Sequence, residues 1–444
     1  MRILEKILDC LSKFKLDHAD AISLDIVHHQ WASRGFSNEV SKSHTNVFIV
    51  RVYVRGRWGI VVSRGCEVKP EELAKRAYKL AYTSSLQWGK GLSEGIVAQG
   101  RIFHPYRYGP GDVNDDTIIE ELNALGSSLS EAGCSMAEII LDSELMVKRH
   151  IDLNDHELVE VKPLTYLTMY ARVQGLGVSE IMGYTRGLEM LFDLSEKDVE
   201  PLLKRARSML KAGVINPLIR GTHFPVILSG KVAGALIHEC IGHELQADMY
   251  MLRGVKRLPV GIRIASESVT IYDDPLLRGG FGSYFADDEM IRARRKVLVE
   301  KGILLNYLHS RASALFYGHE PAGNGRGLET PPLSLMSNFI LKAGDWRLEE
   351  MIEETRSGFL IDGLIRGEVD ERGRCKIFVE TAWYIEKGEI KGVVSPLAIE
   401  GDVRRLLHGI DAVGREMSVR ISFEKGMPIA EYAPPLRISK VRII

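Results

Sequence analysis

The sequence predicts an α+β fold, with an N-terminal α/β-layer domain followed by a β-rich C-terminal domain that carries one helix crowded with ionisable residues. Three observations predict it. Helical and alternating periodicities follow one another through the first half of the chain. Beyond Pro217 most segments shorten to strand length and are separated by Gly, Asp or Asn. The 444 residues are also long for one core, so a boundary is expected near residue 215, giving domains 1–215 and 216–444.

In the first half, residues 1–16 place Ile3, Leu4, Ile7, Leu8 and Leu11 at helical spacing with charges between them. This is an amphipathic first helix, because the uninterrupted apolar run of a secretory leader is missing. From Asp20 the period changes to two, and NVFIVRVYVRGRWGIVVSR reads as a hairpin turning at residues 56–59. Pro70, Glu71 and Glu72 open a helix over 70–84, and the Gly-, Pro- and Tyr-rich stretch 86–116 reads as a loop. A helix over 116–132, strands within 134–185 and a helix over 195–213 complete the layer. The last of these has early acids and late bases, which suits the helix dipole.

In the second half, His223–Leu228 reads as a strand and Lys231–Asp248 as a helix. The remainder is expected to be a barrel or sandwich with inserted helices, one of them near 345–356.

Bulk composition narrows the function classes. Hydrophobic residues at 45% and charged residues at 26% are the balance of a globular protein. Lys+Arg 58 against Asp+Glu 59 leaves a net charge of -1, which gives no electrostatic case for a nucleic-acid partner. No stretch of 18 apolar residues occurs, so no membrane span is expected. Cys10, Cys66, Cys134, Cys240 and Cys375 are odd in number and dispersed, which suggests reduced thiols and a cytoplasmic location.

The chemistry is concentrated in His238-Glu239-Cys240-Ile241-Gly242-His243. Neutral imidazoles can hold a zinc ion, and a carboxylate can take a proton from water. The spacing H-E-x-x-x-H is one residue longer than the familiar H-E-x-x-H. On a regular helix, positions five apart differ by about 140° and cannot aim both rings at one ion. A kink, a π-bulge or a helix end must intervene, and Gly242 would tolerate it. Burying two histidines and three acids on an element that begins VAGALI is costly unless they are paired or bound to metal. Cys240, Glu244 and Asp248 point elsewhere on a regular helix. Cys375 is either a soft ligand arriving from a distance or an inert core thiol.

HECIGHELQAD resembles the signature helix of the TldD/PmbA zinc metallopeptidases, in which TldD-type members carry HExxxH and PmbA-type (TldE) partners lack it. The likeness extends over nearly the whole chain. It includes SRGFSNEVSKSHTNVFIVRVYVRGRWGIVVS, GSYFADDEM, AGNGRGLETPPLSLMSNFIL, AWYIEKGEIKGVVSPLAIEG and MPIAEYAPPLRISKV. The resemblance implies one zinc ion per site held by His238 and His243, with Glu239 activating water. It also implies small or unfolded peptides as substrates, bound as an added strand inside a dimer chamber. The partner would be a second copy of the chain or a PmbA/TldE-like subunit. The family's third ligand is a cysteine in a C-G-K-x-G segment, and here ISFEKGMP puts Ser422 at that place.

Two function classes therefore stand. One is a metallopeptidase; the other is a non-catalytic peptide- or partner-binding subunit of a TldD/TldE-like complex. The Gly323–Gly327 run lacks the Lys-Ser/Thr of a phosphate loop and reads as a surface or chamber loop. Asp287-Asp288-Glu289 reads as a turn or an arginine partner.

Overall fold

The computed structural model describes all residues except Met1, Phe36, 66–68, 214–218 and Pro396. The expected boundary at 215/216 lies outside the described residues, as do Pro217 and Cys66.

The first half is built on one seven-stranded sheet. Its order is Arg57–Arg64, Ser37–Val54, His18–Arg34, Met136–Asp152, Glu157–Val173, Gly100–Phe103, with Leu176–Tyr184 also paired to Glu157–Val173. The run that suggested a hairpin pairs Ser37–Val54 with Arg57–Arg64, and His18–Arg34 and Ser37–Val54 are long strands of 17 and 18 residues. Helices Arg2–Leu11 and Pro70–Thr83 cover one end of the sheet, packing Leu4, Ile7, Leu11 and Ala77 on Ala19, Val50 and Val52. Gly59 makes this approach possible, since a Cβ there would stand 2.1 Å from the Ala77 carbonyl oxygen. Helices Asp115–Glu131 and Glu196–Met209 cover the other end around Trp31, Leu141 and Leu167. The stretch 86–116 is not all loop. Gly100–Phe103 pairs parallel to Glu157–Val173, a four-residue edge strand too short and too exposed to carry an alternating signal.

The second half contains a small closed barrel and a second sheet. Strand Ser357–Val369 pairs with His223–Leu228, and Leu436–Ile443, Leu397–Asp402 and Arg374–Glu386 follow; the last returns to Ser357–Val369. The six-stranded sheet runs Ile303–Leu304, Lys296–Glu300, Ile271–Asp273, Asn338–Leu341, Met427–Ala433, Ser418–Glu424, which leaves Ser418–Glu424 at an edge. Beyond the expected helix near 345–356, found at Leu348–Glu353, short helices occur at Arg311–Tyr317 and Val403–His408. Neither is long enough to display a helical period in the sequence. Among the described residues no helix is long and apolar enough to cross a membrane.

Helix Gly230–Ile237 lies between the barrel and the second sheet and shares one buried cluster with both, including Val226, Leu236, Phe339, Phe359 and Ile438. Its small residues set how closely it approaches strand Met427–Ala433. A Cβ on Gly230 would meet the Ala433 carbonyl oxygen at 2.4 Å, and one on Gly234 the Glu431 Cβ at 3.0 Å. That approach delivers the end of the helix onto Glu431.

Buried charges tie the halves together. Arg51 is fully buried and bonds Asp20 within its own sheet and the Asp288 and Gly327 carbonyl oxygens across the junction. Lys148 reaches both Glu160 and Asp288, and Arg205 reaches Glu180 and Glu380. Asp287-Asp288-Glu289 is thus a buried turn with an arginine partner, Arg326, at 3.3 Å from Asp288. The Gly323–Gly327 run is not a surface loop: all five residues are buried, and Asn324 bonds Asp273 and the Leu335 carbonyl oxygen. Its glycines signal close packing rather than exposure.

Candidate metal centre

The helix does not continue regularly through the motif. Residues His238–Gly242 form a π turn, in which the His243 N–H donates to the His238 carbonyl oxygen, and His243–Leu245 tightens into a 3₁₀ turn. A π turn closes its hydrogen bond five residues apart, so it stacks positions that a regular helix would splay. The two rings accordingly meet, with centroids 4.7 Å apart and planes at 89°. Gly242 serves a different purpose from the one its sequence position suggested. Its backbone is ordinary right-handed helix, at φ -56° and ψ -50°. What excludes a side chain is Met336, whose Sδ would lie 2.2 Å from a Cβ at this position.

His238 is buried, and its Nδ1 meets Glu431 Oε1 at 2.7 Å. That bond assigns the proton to Nδ1 and leaves Nε2 free to ligate, as is usual for metal-binding histidines with a carboxylate behind them. Burial alone would push this imidazole down, but the Glu431 carboxylate outweighs it and the net shift is upward. Glu431 is itself fully buried. Arg420 donates to its other oxygen at 2.8 Å, and the Ser422 hydroxyl donates to Oε1 at 3.2 Å. Ser422 therefore braces the carboxylate behind His238.

His243 is partly open to solvent. Its Nε2 lies 3.8 Å from Glu239 Oε2 and its Nδ1 lies 3.6 Å from Glu424 Oε1. Ligand-capable atoms of His238, His243 and Glu424 all fall within 4.8 Å of one another. Glu424 Oε1 accepts from Gln246 Nε2 at 2.8 Å, whereas Glu424 Oε2 is buried with no hydrogen-bond partner among the described residues. An unsatisfied buried carboxylate oxygen is costly, and a cation among the two imidazoles and this oxygen would relieve it. The donor set, two imidazoles and one carboxylate with a side open to solvent, is that of catalytic zinc sites. The residues fit the ion.

Glu239 is adjacent and about one-fifth exposed on its side chain. Burial raises its proton affinity above the usual carboxylate range, and Glu431 and Glu424 add to this against the pull of His238 and Arg420. Such a carboxylate is better placed to accept a proton near neutrality. On its other side stands Gly367, where an added Cβ would come within 3.1 Å of the Glu239 Cγ.

The motif residues expected to point away do so. Glu244 accepts from the Tyr250 hydroxyl and Asp248 from Ser334. Cys375 does not join the histidines. It is buried in a barrel strand against Cys240, and hydrogen bonding with Cys375, then burial, raises the Cys240 thiol well above its ordinary range. Sequence reasoning missed Glu424, Glu431 and Arg420. A signal existed, since Arg420, Ser422 and Glu424 alternate along one face of the strand Ser418–Glu424.

Residues 221–444 match the family described as the PmbA/TldA metallopeptidase C-terminal domain. A metalloprotease of Methanocaldococcus jannaschii is 30% identical over 88% of this chain and 87% of its own. A protein of Saccharolobus solfataricus named a zinc metalloprotease TldD homolog is 24% identical over 74% of this chain and 76% of its own. The crystal structure of TldE from Thermococcus kodakarensis covers 99% of both chains with a TM-score of 0.77 at 21% identity, a likeness of fold.

Proposed function

The chain belongs to the PmbA/TldA family of metallopeptidases, and on that premise we propose that it hydrolyses peptide bonds at a single zinc ion held by His238, His243 and Glu424. The observation that carries this reading is the convergence of three donor side chains on one point, with a buried Glu424 oxygen that has no other partner. Zinc when bound supplies Lewis acidity toward water and the peptide carbonyl. The name of the Saccharolobus relative supports zinc over other divalent ions.

The protein's own residues supply the remaining chemistry. Glu431 fixes the tautomer and direction of His238. Glu239 accepts the proton of the attacking water as the oxygen bonds to the carbonyl carbon. It then returns that proton to the departing nitrogen as the C–N bond breaks, so charge and atoms balance. Gly367 keeps the space beside Glu239 open.

Substrates in this reading are small or unfolded peptides, admitted to a chamber formed with a second subunit. That subunit is a second copy of this chain or a PmbA/TldE-like chain, and the likeness to TldE supports a TldD/TldE-type partner. Cys10, Cys134, Cys240 and Cys375, buried as free thiols, support a reducing, cytoplasmic setting. The division into 1–215 and 216–444 is supported by the separation of the main hydrophobic clusters, which draw either on residues before 210 or on residues after 218.

The alternative, a non-catalytic binding subunit, draws support from Ser422, which stands at the place of the family cysteine. Substituting Glu239→Ala separates the two. A peptidase keeps about one zinc per chain in this variant and loses peptide cleavage by about a hundredfold or more. Unchanged turnover in the variant, or a wild-type protein that carries far less than one zinc, refutes the proposed mechanism.

A further inference from the structure

Arg257 lies in the segment that follows helix Ala247–Arg253. Its guanidinium carbon sits 4.6 Å from the ring centre of Tyr307 and 4.0 Å from that of Tyr317. Nη1 donates to His309 Nε2 at 3.4 Å and Nη2 donates to His319 Nε2 at 2.9 Å. These two imidazoles stack on each other at 5.1 Å. Burial pushes His309 down to about 3 and lowers His319 as well, so both rings are neutral acceptors at ordinary pH.

What Arg257 lacks is an acid. Arg51, Arg205, Arg326 and Arg420 each meet a carboxylate. Among the described residues none pairs with Arg257. The side chain is half-buried, its guanidinium lies against two aromatic rings, and each terminal nitrogen spends one hydrogen on an imidazole. The Nε hydrogen and the second hydrogen of each terminal nitrogen remain for a ligand. A guanidinium held this way has already lost the rotamer freedom that binding would otherwise cost, and its planar fork matches a carboxylate. Apolar side chains stand beside it. Phe316 is 52% exposed with its ring 4.9 Å from Tyr317, and Val255 and Val260, on either side of Arg257 in the chain, are 52% and 53% exposed.

The cluster is joined to the segment that carries the metal centre by a short series of side-chain contacts on the outer side of the turn. Glu244, the neighbour of His243, accepts from the Tyr250 hydroxyl, and the Tyr250 ring lies 6.2 Å from Tyr307. An extended peptide, at roughly 3.3 Å per residue, spans such a chain of contacts with a few residues. We propose that Arg257, clamped by Tyr307, Tyr317, His309 and His319, binds the C-terminal carboxylate of a peptide whose scissile bond lies at the metal centre. The exposed Phe316, Val255 and Val260 receive the last side chain. This rests on the peptidase reading above and adds to it a fixed reference point for the substrate's end.

The test uses hexa-alanine carrying an N-terminal fluorophore, as the free acid and as the C-terminal amide, with zinc-loaded Glu239→Ala protein so that binding is read without cleavage. The free acid is expected to bind at least about tenfold more tightly than the amide, as a charge-assisted hydrogen-bond pair implies. Adding Arg257→Gln is expected to bring the two peptides to one dissociation constant, and Arg257→Lys to restore only part of the difference. Equal binding of acid and amide by protein with Arg257 intact overturns the proposal without reference to any Arg257 variant. So does a preference that survives Arg257→Gln, or the absence of binding by either peptide. The wild-type cleavage assay keeps the two readings apart. Cleavage of acid and amide at equal kcat/KM sinks this inference and leaves the peptidase reading standing; an Arg257-dependent acid preference without any cleavage keeps the carboxylate site but overturns the peptidase reading and, with it, the placement of a scissile bond at the metal centre.

Discussion

His238 and Glu431 stand 193 positions apart in the chain and meet at 2.7 Å, with the imidazole donating from Nδ1 to a fully buried carboxylate. Arg420 on the opposite oxygen keeps that carboxylate ionised. The pair leaves His238 Nε2 free to ligate, so in the proposed centre its removal would be felt through the metal. Glu431→Gln is expected to weaken zinc binding by about ten- to a hundredfold, the usual cost of losing a carboxylate behind a ligating histidine. Competition with a chromophoric chelator measures it, and an unchanged affinity would show that Glu431 serves only Arg420.

Glu424 and Ser422 make a paired comparison. They share one strand face; Glu424 has a carboxylate oxygen within 4.8 Å of a ring nitrogen of both histidines, while Ser422 bonds the carboxylate behind His238. Glu424→Ala is expected to strip the protein of stoichiometric zinc. Ser422→Ala is expected to cost far less, because Ser422 acts through a 3.2 Å bond to Glu431. Zinc per chain, measured by elemental analysis after dialysis, decides between them. A larger loss in Ser422→Ala reverses the assignment.

Gly242→Ala isolates a packing effect. Alanine suits the backbone angles at this position, so the only penalty comes from the Met336 sulfur 2.2 Å away from the new Cβ. Overpacking of this kind is expected to cost about 1–3 kcal/mol in urea unfolding. The double variant Gly242→Ala/Met336→Ala should show strong coupling, its cost falling well below the sum of the single changes. Simple additivity would place the strain elsewhere.

Buried charge away from the metal gives a pH test. Burial and the neighbouring Asp287 carboxylate push Glu289 up to about 8 from 4.5. The folded chain thus holds this proton where the unfolded chain has released it, so the group's contribution is full below about pH 4.5 and is lost as pH rises toward 8. Glu289→Gln resembles the protonated form and does not titrate. Its stability relative to wild type should therefore rise across that window and level off above it. Urea midpoints at several pH values check this, and a flat difference contradicts it.

The helix distortion at the candidate site was readable in the primary structure because local arithmetic constrains it. Histidines five apart cannot share one face of a regular helix, and the π turn at His238–Gly242 is the local solution. The role of Gly242 was not readable, because Met336 reaches it from another element. Glu424 and Glu431 were missed for the same reason. Their relation to the histidines depends on the register of the hairpin Ser418–Glu424/Met427–Ala433 and on the small residues that let helix Gly230–Ile237 approach it. The alternation of helices and strands carried the fold class in full. It could not carry the four-residue strand Gly100–Phe103, the short helices, or the burial of Gly323–Gly327, where tertiary pairing decides.

The central claim is that one zinc ion is held by His238, His243 and Glu424. A zinc-soaked crystal measured at the zinc absorption edge tests it most directly. The account predicts a single anomalous peak per chain in contact with an imidazole nitrogen of each histidine and with Glu424 Oε2, at distances of about 2.0–2.2 Å. A peak bound through Cys375 or Ser422, or no peak between the two histidines, would contradict it.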